Sequence, residues 1–244
     1  MIYTESGTID HLNTALKNVK ELYKAACIER KGKTTDTKEY FTEVIAEELL
    51  KRLPLFEEDS ELTRTKNSYC TKSHCNIKID VCNSNRNEEI FAKRITGLEF
   101  EKLGLILDYQ IPLKDKQKDK GVGKIDLISY HKETKTLFLI ELKYSGNKET
   151  LLRSVLEIYT YNEIVNKGKL KTDFMSYPKF TENKVFGNAK ANDISVVPAV
   201  LLVPDCYPYK ELMEIQIGGR QKLNELASKL NVKFFTMDIK RSVF

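Results

Sequence analysis

Residues 123–143 read Gly-Lys-Ile-Asp-Leu-Ile-Ser-Tyr-His-Lys-Glu-Thr-Lys-Thr-Leu-Phe-Leu-Ile-Glu-Leu-Lys. Two aliphatic and β-branched runs, 124–130 and 136–143, flank a polar segment that is short enough to be a hairpin loop. The pattern therefore predicts two antiparallel strands, and the rest of the chain can be arranged around them.

The length of the loop sets the register of the hairpin. If residues 132–135 form a four-residue loop, His131 pairs with Thr136. Counting back along both strands then sets Asp126 directly opposite Glu141. Like charges that face each other at ~5 Å destabilise a sheet, so the arrangement needs a reason. A bound divalent cation is one, because carboxylates are the ligands that such ions prefer.

Charged residues also end the second strand of this hairpin. Strand alternation places Glu141 and Lys143 on one face and Leu142 on the other. The preceding residues 138–140 are apolar on both faces, which is typical of a strand in a sheet that is covered on both sides. A solvated salt bridge on an edge hairpin does not explain charges in such a strand, so the pattern favours a metal site.

Asp126, Glu141 and Lys143 resemble the signature of the PD-(D/E)xK nuclease superfamily, which is an aspartate on one strand and Glu-x-Lys on the next. They match it in residue type, order and strand context, although Ile125 stands where the family name has proline. The resemblance implies an α/β fold with a restriction-endonuclease-like core, αβββαβ, in which helices flank a central mixed sheet. It covers residues 87–244.

The resemblance also implies a chemistry. Asp126, Glu141 and the backbone carbonyl of Leu142 would hold Mg²⁺, with Mn²⁺ as the alternative ion, and Lys143 would orient water or stabilise developing negative charge. The reaction would be phosphodiester hydrolysis in nucleic acid, with DNA favoured over RNA. The leading alternative is a nuclease-fold protein that binds nucleic acid without cutting it, and a third is an interaction protein whose acids are structural.

A glutamate precedes the catalytic strands on a helix predicted at residues 87–103. On a helical wheel Glu88 falls within the apolar arc, whereas Glu89 points away from it. The family often has such an inward glutamate, so the resemblance implies that Glu88 reaches the metal. A glutamate in the first helical turn is equally explained by the helix dipole. Both interpretations stay open.

Two further segments offer substrate contacts. On a helix predicted at 148–167, Arg153, Glu157 and Tyr161 form a row at i, i+4 and i+8. The resemblance implies that this row borders the substrate groove, and an ordinary helical Arg–Glu pair is the alternative. Just before Asp126, a cationic loop offers phosphate contacts or is merely solvated. The loop runs from Lys114 to Lys124 and contains five lysines. Those assigned to substrate contact are Lys116, Lys118, Lys120 and Lys124.

Composition sets wide limits. The chain has 244 residues, of which 41% are hydrophobic and 31% charged, as in ordinary globular proteins. A net charge of +5 permits a nucleic-acid partner without requiring one. No export signal and no run of ~18 apolar residues is recognisable, which predicts a cytoplasmic protein without a membrane partner. Monomer and homodimer are both compatible with the sequence.

The first part of the chain has none of the nuclease signature. Residues 1–86 are therefore predicted to be a helical and irregular extension, with amphipathic helices at 8–29, capped by Thr8, and at 36–53. A zinc site in this extension is an open alternative to unremarkable thiols, although the spacing fits no common zinc finger. Its ligands would be Cys70, His74, Cys75 and Cys82.

The remaining segments complete the predicted core. They are a strand at 105–113, a polar excursion or lid at 170–192, a strand at 194–203, a helix from 219 to 230 and a strand at 232–237.

Overall fold

A computed structural model describes residues 3–56, 63–70, 87–115 and 123–237. It is an α/β structure with a six-stranded sheet in which the strands follow the order of the sequence. The α/β class is confirmed, and the specific restriction-endonuclease-like core stays a prediction. The strands are β1 (Glu99–Phe100), β2 (Gly104–Pro112), β3 (Lys124–His131), β4 (Thr136–Lys143), β5 (Ser195–Leu202) and β6 (Lys233–Thr236).

The α-helices lie before the first strand, between β4 and β5, and between β5 and β6. None of those in the described part of the chain is long and apolar enough to cross a membrane. They are α1 (Glu5–Ala15), α2 (Phe41–Leu50), α3 (Asn87–Ile95), α4 (Leu151–Ile164), α5 (Lys167–Met175), α6 (Pro178–Glu182), α7 (Tyr207–Gln216) and α8 (Gln221–Lys229).

The β3–β4 hairpin forms with the predicted register. His131 pairs with Thr136 across the loop, and the pairing continues to Leu127 opposite Ile140. Lys135 has a φ of +49°, which lets the chain reverse direction at the end of the loop. All eight residues of β4 are buried, so this strand is covered on both faces as its apolar sequence predicts.

Strand β5 runs parallel to β4. The Ser195 N–H donates to the carbonyl of Lys135 at 3.0 Å, and the Val203 N–H donates to the carbonyl of Lys143 at 3.0 Å. Donor and acceptor advance together along the chain, which happens only between parallel strands. A parallel connection needs a long crossover, and α4 to α6 lie in the sequence between the two strands. The sheet is therefore mixed, because β1 to β4 are antiparallel.

The helix predicted at 8–29 is wrong at both ends. Thr4 is the N-cap, since its hydroxyl accepts a backbone N–H of the first turn at 3.2 Å, while Thr8 is a buried residue inside α1. The α-helix then gives way to a 3-10 segment, Leu16–Lys24, with non-helical backbone at Asn18. Apolar residues keep their spacing through this break, so the periodicity alone does not reveal it.

Two other predicted helices are shorter than expected. The helix predicted at 36–53 is limited to α2. The helix predicted at 87–103 ends with α3, because Gly97 adopts a φ of +87° and donates its N–H to the carbonyl of Ile106 at 2.8 Å. This bond ties the chain to β2 and lets it continue into β1, a strand that the sequence did not predict.

The segment 170–192 is not an irregular excursion. Most of α5 and all of α6 lie in this segment. The ring centroids of Phe174 in α5 and Phe180 in α6 lie 5.8 Å apart. Those of Tyr130 in β3 and Phe186, which follows α6, lie 4.5 Å apart, so the segment shares an aromatic core with the sheet. Helix α7 was not predicted from the sequence either. The segment 170–192 looks irregular in the sequence because its aromatic residues are scattered among polar ones, and only the fold brings these rings together.

The chain divides into two compact units. The helical unit comprises Met1–Asp59, Lys143–Thr160 and Val200–Phe244, and the hairpin unit comprises Ser60–Leu142 and Tyr161–Ala199. Within the helical unit, α2 packs against α1 and α8. Within the hairpin unit, α3 packs against β2 and β3. The proposed boundary between an extension and a nuclease-like domain stays a prediction.

Candidate active site

The open end of the β3–β4 hairpin carries the predicted carboxylates. The last backbone pair is Leu127 with Ile140, and one further step of the same register sets Asp126 opposite Glu141. Glu141 is buried and Asp126 is half-buried. Two acids at adjoining positions of a covered sheet are costly unless a cation or hydrogen-bond donors compensate for their charge.

Asp126 has such donors on both neighbouring strands. One of its carboxylate oxygens accepts the side-chain amide N–H of Gln110 at 2.8 Å, and the other accepts the backbone N–H of Leu142 at 3.0 Å. These two bonds fix the position of the aspartate from both sides.

Gln110 was not found by sequence reasoning. It is a non-glycine residue with a φ of +50°, in a strand whose register shifts between Ile106 and Asp108. Left-handed backbone inside a strand is costly for glutamine, and such strain often accompanies a bulge that re-aims a side chain. A glutamine in an aliphatic strand gives no signal of its backbone angle, so the partner of Asp126 is visible only in the structure.

Lys143 is almost fully buried in the helical unit. Its ammonium donates to the carboxylate of Glu149 and lies 3.9 Å from a carboxylate oxygen of Glu157. Burial raises the pKa of Glu149, but the charges of Lys143 and Arg153 outweigh that effect, and the net pKa lies below the ordinary value. Glu149 is thus held ionised beside the lysine. We call Lys143, Glu149, Arg153 and Glu157 the Lys143 cluster.

Arg153 links this cluster to the N-terminal part of the chain. Its guanidinium lies 3.2 Å from an oxygen of Glu149, 3.8 Å from Glu157 and 2.9 Å from Glu29. The helical Arg–Glu pair that the sequence offered as an alternative is therefore present. Whether Arg153 and Glu157 also contact substrate stays a prediction.

Tyr161 lies on the next turn of α4 but has a different environment. It is buried, and a methyl group added at Gly123 would come within 2.0 Å of its hydroxyl oxygen. Only glycine leaves room for the tyrosine at this approach. Tyr161 therefore packs against the backbone where the lysine loop joins β3.

The donors available for a cation are all oxygens. In the hairpin unit they belong to Asp126 and Glu141, and in the helical unit Glu149 and Glu157 offer carboxylate oxygens within 4.8 Å of each other. Strand alternation puts Glu141 on the same face of β4 as Lys143. Such a donor set suits Mg²⁺ or Ca²⁺ better than zinc, which prefers nitrogen and sulfur.

The other predicted site residues are less informative. Glu88 is half-buried in the first turn of α3, and both of its interpretations stay open. Glu89 is half-buried as well and forms an ion pair with Lys93 at 3.1 Å. Lys124 is exposed at the start of β3. The remaining loop lysines, Lys116, Lys118 and Lys120, lie outside the described residues.

The suggested zinc ligands are represented by a single described residue. Cys70 donates its thiol to the carbonyl of Asp173 at 3.5 Å, as a free cysteine. His74, Cys75 and Cys82 lie outside the described residues, so the zinc alternative stays a hypothesis.

Comparisons with protein-family models, with curated proteins and with solved structures found no match to this chain. The resemblance to the nuclease superfamily therefore depends on the motif residues and their arrangement.

Proposed function

We propose that this chain is a metal-dependent nuclease that hydrolyses phosphodiester bonds, with DNA favoured over RNA. The observation that carries the proposal is the β3–β4 register, whose last pair is Leu127 with Ile140. One further step of that register would set Asp126 opposite Glu141, and Lys143 lies two residues further along β4. Carboxylates can hold a divalent ion, and a nearby ammonium can stabilise developing negative charge, which is the arrangement that the resemblance to the nuclease superfamily implies.

The chain supplies suitable ligands for Mg²⁺. Asp126, Glu141 and the backbone carbonyl of Leu142 would hold the ion, with Mn²⁺ as an alternative, and Glu88 is a further candidate ligand. The fit is supported by Asp126, whose two oxygens accept hydrogen bonds from Gln110 and from the backbone of Leu142. Its geometry is fixed from two strands, and a metal ligand needs such support from its neighbours.

Mg²⁺, when bound, would lower the pKa of a coordinated water and neutralise negative charge on the scissile phosphate. Lys143 would hold the attacking water or a phosphate oxygen with its ammonium. In the structure that ammonium is bonded to Glu149, and Arg153 holds Glu149 from the other side. Glu149 and Arg153 are therefore positioning residues for Lys143 in this proposal.

Substrate contacts remain proposals for the row of Arg153, Glu157 and Tyr161 and for the lysine loop. The loop would act through its charge, and its lysines would contact the phosphate backbone irrespective of base sequence.

One observation favours the non-catalytic alternative, a protein that binds nucleic acid without cutting it. The Lys143 ammonium is close to two carboxylates, and the Glu149 carboxylate is its hydrogen-bond partner. A lysine whose charge is balanced in this way can be purely structural. The two functions differ in whether the chain breaks a phosphodiester bond.

The test is nicking of supercoiled plasmid in Mg²⁺, in Mn²⁺ and in EDTA. We expect metal-dependent cleavage that Asp126→Asn abolishes and that Lys143→Ala reduces strongly without loss of metal binding. Asp10→Asn, which removes an exposed acid with no predicted role in the site, is the matched control and should cleave normally. Cleavage that persists in Asp126→Asn, or none in either metal, would overturn the proposal.

A further inference from the structure

A basic segment follows directly from the Lys143 cluster. Arg153 donates to a carboxylate oxygen of Glu29 at 2.9 Å, and the Thr150 hydroxyl donates to the carbonyl of Ile28 at 2.7 Å. Both bonds lie within the helical unit and tie the start of α4 to the chain at residues 28–29. The next residues, Arg30, Lys31 and Lys33, form what we call the basic strip.

Two aromatic rings lie under the lysines of the basic strip. The Lys31 ammonium is 4.8 Å from the ring centroid of Tyr207, and the Lys33 ammonium is 4.5 Å from that of Tyr40. A cation over a ring face is attracted by the ring quadrupole, which restricts the side chain but leaves its full charge. These lysines are therefore better ordered than ordinary surface lysines.

The charges of Lys31 and Lys33 are also available. Both residues are exposed, so a ligand can reach their ammonium groups. Lys31 also lies close enough to Glu211 for its charge to oppose the rise in pKa that burial gives that carboxyl. Arg30 differs, because its guanidinium contacts the imidazole of His11 at 2.7 Å and lies over Tyr3. We therefore assign binding to the two lysines and a supporting role to the arginine.

We propose that Lys31 and Lys33 bind the phosphodiester backbone of the nucleic acid whose bond is cut beside Lys143. The inference rests on the proposed function and extends it to the N-terminal part of the chain. Phosphates match the strip because lysine ammonium groups neutralise backbone charge irrespective of base sequence. Glu29 lies two residues before Lys31 and pairs with Arg153, which also pairs with Glu149, the partner of Lys143. The strip therefore begins beside the Lys143 cluster.

The test measures binding separately from cleavage. Asp126→Asn protein and a fluorescein-labelled duplex DNA are titrated by anisotropy over a series of KCl concentrations. Adding Lys31→Gln and Lys33→Gln should reduce the log–log salt slope by about 0.9 for each phosphate that the protein no longer neutralises. Adding Lys17→Gln and Lys20→Gln instead is the matched control, because it removes the same charge from exposed lysines of the same unit. The control should keep the parent slope.

Three results would overturn the inference: an unchanged slope in the strip variant, an equal drop in the control, or no binding by the parent. Thermal unfolding midpoints equal to the parent's establish that the exposed substitutions leave the fold intact. Failure of the nuclease proposal gives a different pattern. In that case wild-type protein leaves plasmid uncut while the strip variant still shows its reduced slope.

Discussion

The helical unit has two clusters of ion-paired side chains, and they differ in how deeply their carboxylates are buried. In the Arg220 cluster, which comprises Arg220, Glu211 and Glu214, a guanidinium nitrogen lies 3.0 Å from a Glu211 oxygen, and both side chains are 2% exposed. In the Lys143 cluster the Glu149 side chain is 26% exposed. Solvent therefore reaches one carboxylate and is excluded from the other.

The two carboxylates respond oppositely to their surroundings. Burial raises the pKa of Glu211 to about 7, despite Arg220 and the N–H of Leu151 that Glu211 accepts at 2.6 Å. Burial also raises the pKa of Glu149, but its cationic neighbours prevail and the pKa falls below the ordinary value. The two clusters therefore differ in role: the Arg220 cluster joins helices, while Glu149 of the Lys143 cluster is kept ionised beside the lysine.

The largest effect is expected from breaking the Arg220 cluster. Arg220→Met leaves Glu211 buried without its cation, and at pH 8 this should lower the free energy of unfolding by about 3 to 5 kcal/mol. Urea unfolding measures the loss. Lys222→Met, an exposed lysine two residues further along, should stay within about 0.5 kcal/mol. A small loss for Arg220→Met would show that the cluster does not hold the unit together.

The next effect concerns the pH dependence of Glu211. Its folded pKa is raised to about 7, so the folded state keeps a proton that the unfolded chain releases near its ordinary value. The stabilisation that this proton gives the folded state is therefore complete below the unfolded pKa and is lost as pH rises through the folded pKa. Glu211→Gln cannot titrate, so its stability should not show this loss. Its stability relative to wild type should rise by on the order of 3 kcal/mol between pH 4.5 and pH 7.

Urea unfolding of both proteins across that range checks the prediction. A difference that does not change with pH would mean that Glu211 is ionised throughout and that Arg220 dominates.

A smaller and opposite effect is expected at Glu149. Its folded pKa is lowered, so its contribution is present above the unfolded pKa and is lost as pH falls through the folded pKa. Glu149→Gln should cost about 1.5 to 3 kcal/mol at pH 7, as expected for a hydrogen bond to a charged group. The cost should disappear at acidic pH. An equal cost at pH 3 would show that the side chain acts through packing.

The residue pairs of the β3–β4 hairpin could be predicted from the sequence, but the side chains that contact Asp126 and Lys143 could not. Aliphatic runs on either side of a polar loop constrain strands strongly, so the register at His131 and Thr136 followed from counting. The Gln110 side chain points at Asp126 because its backbone is left-handed, and no sequence pattern predicts that backbone angle. The partners of Lys143 come from α4 and the segment before it, and tertiary packing decides which nearby acids reach the lysine.

The most direct test of the central claim is the stability gained from Mg²⁺. If Asp126 and Glu141 hold the ion, wild-type protein should gain RT ln(1 + [L]/Kd), or roughly 1.4 kcal/mol at ten times the dissociation constant. Asp126→Asn should lose most of that gain. Without metal, Asp126→Asn should lower the free energy of unfolding by no more than about 1 kcal/mol. The Gln110 amide group can rotate so that its oxygen accepts an N–H from the new asparagine. Asp10→Asn should keep the full gain. Loss of several kcal/mol in metal-free Asp126→Asn, with the Mg²⁺ gain intact, would contradict the claim and make the carboxylates structural.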